Sequence, residues 1–349
     1  MIKKLLEKVT EMMKPHPVYL VGGAVRSYLL GDTPKDYDFC TPAEPDEIER
    51  LIKAQKRRAY LTGKRFGTLG CKIDGEMIEI TTFRTEKYEL NNRKPNVEYV
   101  ANIHQDLSRR DFTINAMCLR LIKGHLRIID PFCGQEDLES GVIRAVGHPK
   151  QRFEEDPLRI LRAVRFACRF NFEIEEDTFK KMQKMAIKIL NISKERWMME
   201  LDKILLSENV GRGLRLLWAA DLFKFMIPEL DLQLNYDQNS QYHNFNLDEY
   251  TIKVVEATPK DINLRWAVLL HDIAKPFVRT NKFVSVEGKE HQIEKSNYIG
   301  HEKLGADMVQ RIATHLKWSN ERTDSVVSLV RNHLNEDCPL REYDNMGKQ

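Results

Sequence analysis

The chain has 349 residues, 42% hydrophobic and 31% charged, with a net charge of +3. That length exceeds one small core at about 150 residues per domain, and the composition is too apolar for a disordered chain. No apolar run approaches the roughly 18 residues that span a bilayer, the amphipathic start MIKKLLEKVTEMMK lacks an export signal, and six cysteines without a CxxC pair suit reduced thiols in the cytoplasm rather than a disulfide frame or zinc ribbon.

In chain order, residues 1–13 are predicted as a helix, Val18 to Val21 as a short strand running into Gly22-Gly23, and Ala24 to Leu30 as a helix. Asp36 to Thr41 reads as a second strand and 45–55 as a helix, after which Thr68 to Ile73 and Met77 to Phe83 form strands about the turn Asp74-Gly75. The polar segment KYELNNRKPN, Lys87 to Asn96, reads as a loop. One more sheet-like stretch, Leu119 to Ile129, leads to the turn Asp130-Pro131, and from residue 153 onward the periodicity is helical almost to the end. The switch predicts an α+β fold with a helical body, and no internal repeat is present.

In KDYDFC the side chains of Asp36 and Asp38 are two residues apart, so on a strand both leave the same face and their oxygens converge. With Glu79 on another predicted strand they make an oxygen donor set suited to magnesium and phosphate chemistry. Gly22 and Gly23, between a strand and a helix, let the backbone approach a phosphate. Taken singly, these features also describe a solvated strand edge and a tight turn.

Taken together they carry a resemblance. VYLVGGAVRSYLLGDTPKDYDFCT is followed by RRDFTINAM (109–117), DPFCGQEDLESGVIRAV (130–146) and EEDPLRILRAVRFA (154–167), and the series resembles the class II tRNA nucleotidyltransferases, relatives of bacterial poly(A) polymerases in the polymerase-beta-like superfamily. The resemblance covers nearly the whole chain. It implies a nucleotidyltransferase head with a mixed sheet at 1–140, then an all-helical remainder: a neck at 141–205, a body at 206–244 and an HD-like region at 245–349. The implied activity is template-independent addition of CCA to the tRNA 3′ end from CTP and ATP, with Mg2+ and release of pyrophosphate.

By that resemblance Asp36 and Asp38 hold the metal ions and Glu79 is the third carboxylate. Gly22, Gly23 and Arg26 would embrace the triphosphate, Arg26 offering a forked donor to phosphate oxygens. In Arg109-Arg110-Asp111 a basic pair meets phosphate and the acid meets a ribose hydroxyl, with Asn115 four residues on. Pro157 suits a first helical turn, and Asp156 and Arg159, at i and i+3, share one side opposite the apolar stripe Ile160, Leu161, Val164 and Cys168. A carboxylate acceptor with a guanidinium donor matches the amino group and ring nitrogen of cytosine or adenine and clashes with uracil or guanine. Arg162, Arg165 and Arg169 are expected on the side away from the stripe, joining Arg144, Lys150 and Arg152 in a basic surface for tRNA phosphates.

CC-adding enzymes, A-adding enzymes and poly(A) polymerases share these blocks. The loop here keeps Arg93, Lys94 and Pro95 and resembles the full-length version needed to pass from CTP to ATP, which favours CCA addition. Toward the C-terminus, His271 and Asp272 in LLHDIAKP, then His301 and His333, follow at distances resembling HD-type metal phosphohydrolases. Imidazole and carboxylate suit a transition metal. Tyr250 stands where related chains have a histidine and Leu334 where an aspartate is common, so the metal set is expected to be incomplete, with His243 the candidate substitute. An HD phosphohydrolase with a vestigial head and a noncatalytic tRNA-binding protein are the rival classes, and Asp36, Asp38 and Glu79 argue against both. The chain ends on a polar segment where relatives with such a region often continue, and none of these patterns sets an oligomeric state.

Overall fold

In the computed structural model, which describes residues 1–87, 96–100, 102–239, 245–285 and 292–347, the chain begins with helix α1 (Ile2–Met12). Its Ile2, Leu5, Leu6, Val9 and Met12 recur at three- and four-residue spacing and form one buried stripe. The chain divides into two compact units, Met1–Glu155 and Asp156–Gln349.

The first unit is built on strands β1 (Tyr19–Val21), β2 (Tyr37–Thr41), β3 (Thr68–Ile73), β4 (Glu76–Thr82), β5 (Arg84–Lys87), β6 (Asn96–Tyr99), β7 (Cys118–Ile122) and β8 (His125–Ile129). Six of them form one sheet in the order β3-β4-β2-β1-β7-β8. β2 and β4 run parallel while the other pairs are antiparallel, so the sheet is mixed as expected. The turn between β3 and β4 places Asp74 and Gly75 at φ 53° and 88°, the left-handed pair that a two-residue hairpin favours. Tyr19, Val21, Cys40, Phe83, Ile103, Leu107 and Cys118 close a core beneath β1 and β7.

Two stretches of this unit go beyond the sequence reading, and of the expected loop only the ends, Lys87 and Asn96, are among the described residues. The segment read as a loop has paired flanks: β5 and β6 form an antiparallel ribbon from Arg84 opposite Tyr99 to Lys87 opposite Asn96. Arg84 to Lys87 holds no apolar residue, and the alternation of Val97 and Tyr99 with Asn96 and Glu98 spans too few residues to announce a strand. Arg93, Lys94 and Pro95 lie outside the described residues. The sheet-like stretch from Leu119 to Ile129 is two strands, folded back where Lys123 and Gly124 take φ of 49° and 76°.

The second unit is mainly helical, with helices that include Leu158–Phe170, Glu176–Met185, Lys194–Leu205, Val210–Ala219, Leu247–Ala257, Ile262–Leu270, His301–Leu316 and Asn320–Asn332. It is not all-helical: Thr280–Ser285 and Gln292–Asn297 pair as an antiparallel hairpin. Both strands are short and largely polar, which left neither period visible in the sequence. Among the described residues no helix is long and apolar enough to cross a membrane. The cysteines are free thiols, with Cys40, Cys71, Cys118 and Cys168 buried.

Candidate active site

Asp38 on β2 lies directly beside Glu79 on β4 in the parallel register. Tyr37 and Phe39, and likewise Ile78 and Ile80, are buried, so the two-residue alternation turns both carboxylates to the open face of the sheet. Asp36 precedes β2 by one residue and is exposed on the same approach. Desolvation holds the Asp38 carboxyl above the ordinary range, Glu79 adds to the effect, Arg110 opposes it and Asp36 contributes last. Three ligand atoms come within 4.8 Å of one another only at Asp272, His301 and His333 among the described residues, so Asp36, Asp38 and Glu79 stand further apart. Neighbouring carboxylates whose charges push the Asp38 carboxyl up are stabilised by a hard divalent cation, and three acidic oxygen donors fit magnesium.

The turn after β1 borders these acids. Gly22 takes φ 66°, a conformation that demands glycine, and a Cβ added there would come within 2.9 Å of Arg110 Nη1, which places that guanidinium against the turn. The helix that follows, Gly23–Leu29, carries buried Arg26, whose Nη1 donates to Asn115 Oδ1. Asn115 Nδ2 in turn donates to Asp111 Oδ1 at 3.0 Å, and the same oxygen accepts from Phe112 N at 2.8 Å. Three residues singled out in the sequence thus form one buried chain of hydrogen bonds. Arg110 is held by Asp106, a residue the sequence reading passed over: its Oδ2 accepts from Arg110 Nη2 at 3.2 Å and its Oδ1 from Arg109 Nη2 at 2.9 Å. The i, i+3, i+4 spacing of Asp106 with the arginine pair was the available signal.

In the second unit, Ile160, Leu161, Val164 and Cys168 are buried as their spacing predicts. Asp156 Oδ1 accepts from Leu158 N at 3.1 Å and its Oδ2 from Arg196 Nη2 at 2.7 Å. Arg159 is buried in the first turn. Arg162 and Arg169 lie over the rings of Phe166 and Phe170, 5.4 and 5.0 Å from their centroids. Arg165 departs from the expected basic surface: it is buried, with Nε donating to Glu200 Oε2 at 2.5 Å and its guanidinium 4.1 Å from the Phe166 ring. Helix Lys194–Leu205 supplies Glu200 and covers that side, which helical spacing alone does not reveal. In the first unit Arg152 is buried as well, donating to Ser108 O and Glu155 Oε1 at 2.6 Å each, whereas Arg144 is half-exposed on Asp137 and Lys150 is exposed.

The four C-terminal site residues do come together. Asp272 Oδ2 lies 3.1 Å from His271 Nε2, and its Oδ1 lies 3.1 Å from His301 Nε2 and 3.9 Å from His333 Nε2. Each ring turns Nδ1 to the carbonyl three residues earlier, at 2.6 to 2.7 Å. A carbonyl only accepts, so each Nδ1 carries a hydrogen and each Nε2 is left to face the carboxylate. His301 and His333 Nε2 are 3.1 Å apart, an arrangement that calls for a shared proton or a transition metal, and the donor set fits the latter. The sequence reading missed Lys275, whose Nζ lies 2.6 Å from Asp272 Oδ2 and 2.9 Å from Gln238 Oε1. Its ammonium also stands over the rings of Tyr250 and Tyr298. Tyr250 is fully buried beside His271, where it offers a ring and no imidazole. His243 lies outside the described residues.

Three family models match the chain: the Poly A polymerase head domain over residues 18–144, the probable RNA and SrmB-binding site of polymerase A over 171–234, and the HD domain over 249–342. The chain is 34% identical over 263 residues to the CCA-adding enzyme of Staphylococcus epidermidis, covering 75% of this chain and 63% of that protein. It is 30% identical over 344 residues to the CCA-adding enzyme of Staphylococcus aureus strain MRSA252, covering 91% of this chain and 84% of the relative. The crystal structure of the Bacillus stearothermophilus CCA-adding enzyme in complex with CTP is similar at a TM-score of 0.62 and 25% identity, over 99% of this chain and 80% of that one. The chain therefore spans less than two thirds of the length of the S. epidermidis enzyme and most of the S. aureus one.

Proposed function

We propose that this chain, which belongs to the CCA-adding enzyme family, adds C, C and A to the 3′ end of tRNA without a nucleic-acid template, using CTP and ATP. The observation that carries the reading is the register of Asp38 beside Glu79, with Asp36 adjacent and with Gly22 and Arg110 at the border of the same face. The reaction joins the primer 3′-hydroxyl oxygen to the α-phosphorus of the nucleotide, breaks the bond to the bridging oxygen and releases pyrophosphate. Asp36, Asp38 and Glu79 would hold Mg2+, which when bound supplies Lewis-acid stabilisation for the attacking and leaving oxygens.

The remaining roles belong to the chain itself. Arg26 and Arg110 meet the triphosphate, where forked donors match phosphate geometry. Gly22 and Gly23 admit it close to the backbone. Asn115 fixes Asp111, which accepts from the ribose. Asp156 and Arg159 select the base, and Arg162 and Arg169 contact tRNA phosphates. Arg165, committed to Glu200, braces two helices. Free thiols fit a cytoplasmic enzyme.

The test is the sequence added to three substrates: tRNA ending before CCA, tRNA ending after CC, and an unrelated RNA. Completion of CCA on the first two and no tail on the third is expected. Stopping at CC, adding only A, or tailing all three would replace the reading with a CC-adding enzyme, an A-adding enzyme or a poly(A) polymerase respectively.

A second reading concerns the HD region. Lys275 takes the Asp272 oxygen that His301 and His333 do not face, and Tyr250 packs on His271 without offering an imidazole, so we take the cluster to hold one transition-metal ion at most and to lack two-metal phosphodiesterase chemistry. Elemental analysis after purification without chelator should give no more than one transition-metal ion per chain, with no hydrolysis of a 2′,3′-cyclic phosphate. Robust hydrolysis lost in His271→Ala would make the region a second active site.

A further inference from the structure

We propose that Asp106 is a positioning residue for the nucleotide triphosphate, acting through Arg110. The inference rests on the nucleotidyl-transfer reading and extends it to a residue with no role in that chemistry of its own.

Asp106 sits in the short helix Ile103–Ser108, and its carboxylate is completely buried. A buried carboxylate needs paired cations and hydrogen bonds to stay ionised. Asp106 has both: Oδ1 accepts from Arg109 Nη2 at 2.9 Å, Arg109 Nε at 3.2 Å and Arg84 N at 3.3 Å, while Oδ2 accepts from Arg110 Nη2 at 3.2 Å. Burial pushes this carboxyl up, yet Arg110 and then Arg109 overcome it and hold it below its ordinary range.

Asp106 holds Arg110 by one nitrogen only, and the placement of the guanidinium directs the other. The other end of the same guanidinium reaches to within 2.9 Å of where a Gly22 Cβ would stand, and its charge is felt at Asp38. Arg110 is thus anchored on one side by Asp106 and borders the glycine turn and the acid cluster on the other. Without the anchor, Asp38 is the other carboxylate whose charge attracts Arg110, and a shift toward it would withdraw the donor from the phosphate position. Asp106 also receives the amide of Arg84, the first residue of β5, so the root of the β5–β6 ribbon is fixed to the same carboxylate.

The experiment is a double-mutant cycle on CTP binding, read by calorimetry, with melting midpoint and steady-state CTP kinetics measured alongside. Asp106→Asn preserves the shape and one acceptor for Arg84 but removes the charge. Loss of a supporting partner of this kind typically weakens a site by about 10- to 100-fold, and we expect the CTP dissociation constant and KM to rise about tenfold. In an Arg110→Ala background the same change should add less than twofold, because a residue that acts through another has nothing further to lose. A purely structural role gives a lowered melting midpoint with the CTP effect undiminished in the Arg110→Ala background, and that result would overturn the inference. Unchanged CTP affinity in Asp106→Asn would overturn it as well. Should Asp106→Asn fail to fold, Asp106→Glu carries the test: moving the carboxylate by one methylene should weaken CTP binding at an unchanged midpoint, and full affinity would refute the proposal. A wild-type chain that neither binds CTP nor extends tRNA would overturn the transfer reading, and the inference with it.

Discussion

The head and the HD region each gather acidic and polar donor atoms, but they resolve the resulting charge in opposite ways. On the sheet, Asp36, Asp38 and Glu79 lie on an open face, stand apart, and push the Asp38 carboxyl above its ordinary range after desolvation has begun the shift. In the HD region, Asp272 is buried, and although burial alone would raise it, His271 and Lys275 hold it well below the usual carboxylate range. The first cluster has unspent negative charge, which is what a site for external cations and phosphates requires. The second has neutralised most of its charge from within, and its cations are side chains.

The largest consequence of that contrast is catalytic. Asp38→Ala should abolish incorporation of labelled CTP and ATP, by about three orders of magnitude or more if the carboxylate holds the catalytic ions, while circular dichroism and the melting midpoint stay near wild type. Asp272→Ala should do the reverse. It leaves Lys275 buried beside Gln238 without its carboxylate, and breaking a buried pair from one side costs about 3–5 kcal/mol, read as a lower denaturant midpoint with transfer intact below the unfolding range. Similar losses of transfer in both variants would erase the distinction.

The same contrast appears with pH. Burial, followed by the charge of His271, pushes His333 down to about 4, with Asp272 opposing. A base whose folded value lies below its ordinary value of about 6.5 contributes stability that is intact above about pH 6.5 and is lost as pH falls through about 4, up to about 3 kcal/mol. His271, His301 and Asp272 all face this ring. Denaturant midpoints measured in chelator should therefore fall across that window, and His333→Gln should flatten the fall. A profile unaltered by the substitution would show that His333 is not the titrating group.

Which parts of these clusters could be read from the sequence follows from how local their partners are. Asp36, Asp38 and Glu79 were legible because alternation on a strand assigns a face, and the parallel register of β2 and β4 then brings Asp38 beside Glu79. The buried stripe Ile160, Leu161, Val164 and Cys168 was legible for the corresponding helical reason. Asp106 beside Arg109-Arg110 and Lys275 three residues after Asp272 lay within one helical turn and were readable in principle. Glu200 is 35 residues from Arg165 and Arg196 is 40 from Asp156, and no local period announces such pairs. Arg165 was accordingly placed on an open side that a neighbouring helix covers. The β5–β6 ribbon was hidden for a different reason, since Arg84 to Lys87 has no apolar residue and the alternation at Val97 and Tyr99 is too short to mark a strand.

Base choice gives a smaller effect than loss of the acids. If Asp156 accepts from the exocyclic amine and Arg159 donates to the ring nitrogen, UTP sets acceptor against carboxylate and N3–H against guanidinium. Each mismatch is worth roughly 1–3 kcal/mol, or about tenfold and upward. The double variant Asp156→Ala, Arg159→Ala should lose that preference while its use of CTP drops. Because Arg196 also holds Asp156, Arg196→Ala should relax selection more weakly. Unchanged discrimination in the double variant would make this helix start a structural ion pair.

The smallest effect tests the electrostatics of the open cluster directly. A carboxyl whose folded value is raised contributes stability below its ordinary value near 4, and that contribution is lost as pH rises through the raised folded value. At neutral pH, ionised Asp38 is therefore disfavoured, first by desolvation and then by the charges of Glu79 and Asp36. The side chain still meets solvent, which screens these charges, so the gain from removing the ionised group is modest. Asp38→Asn should raise the melting midpoint in chelator by about 1 °C, even though it removes catalysis. Millimolar Mg2+ should then stabilise the wild type and leave the variant nearly unmoved, since a cation supplies to the three acids the counter-charge that Lys275 supplies to Asp272 from within the chain. A lower midpoint for Asp38→Asn in chelator would mean that the open acids are already balanced by Arg110, and the two clusters would then differ in exposure alone.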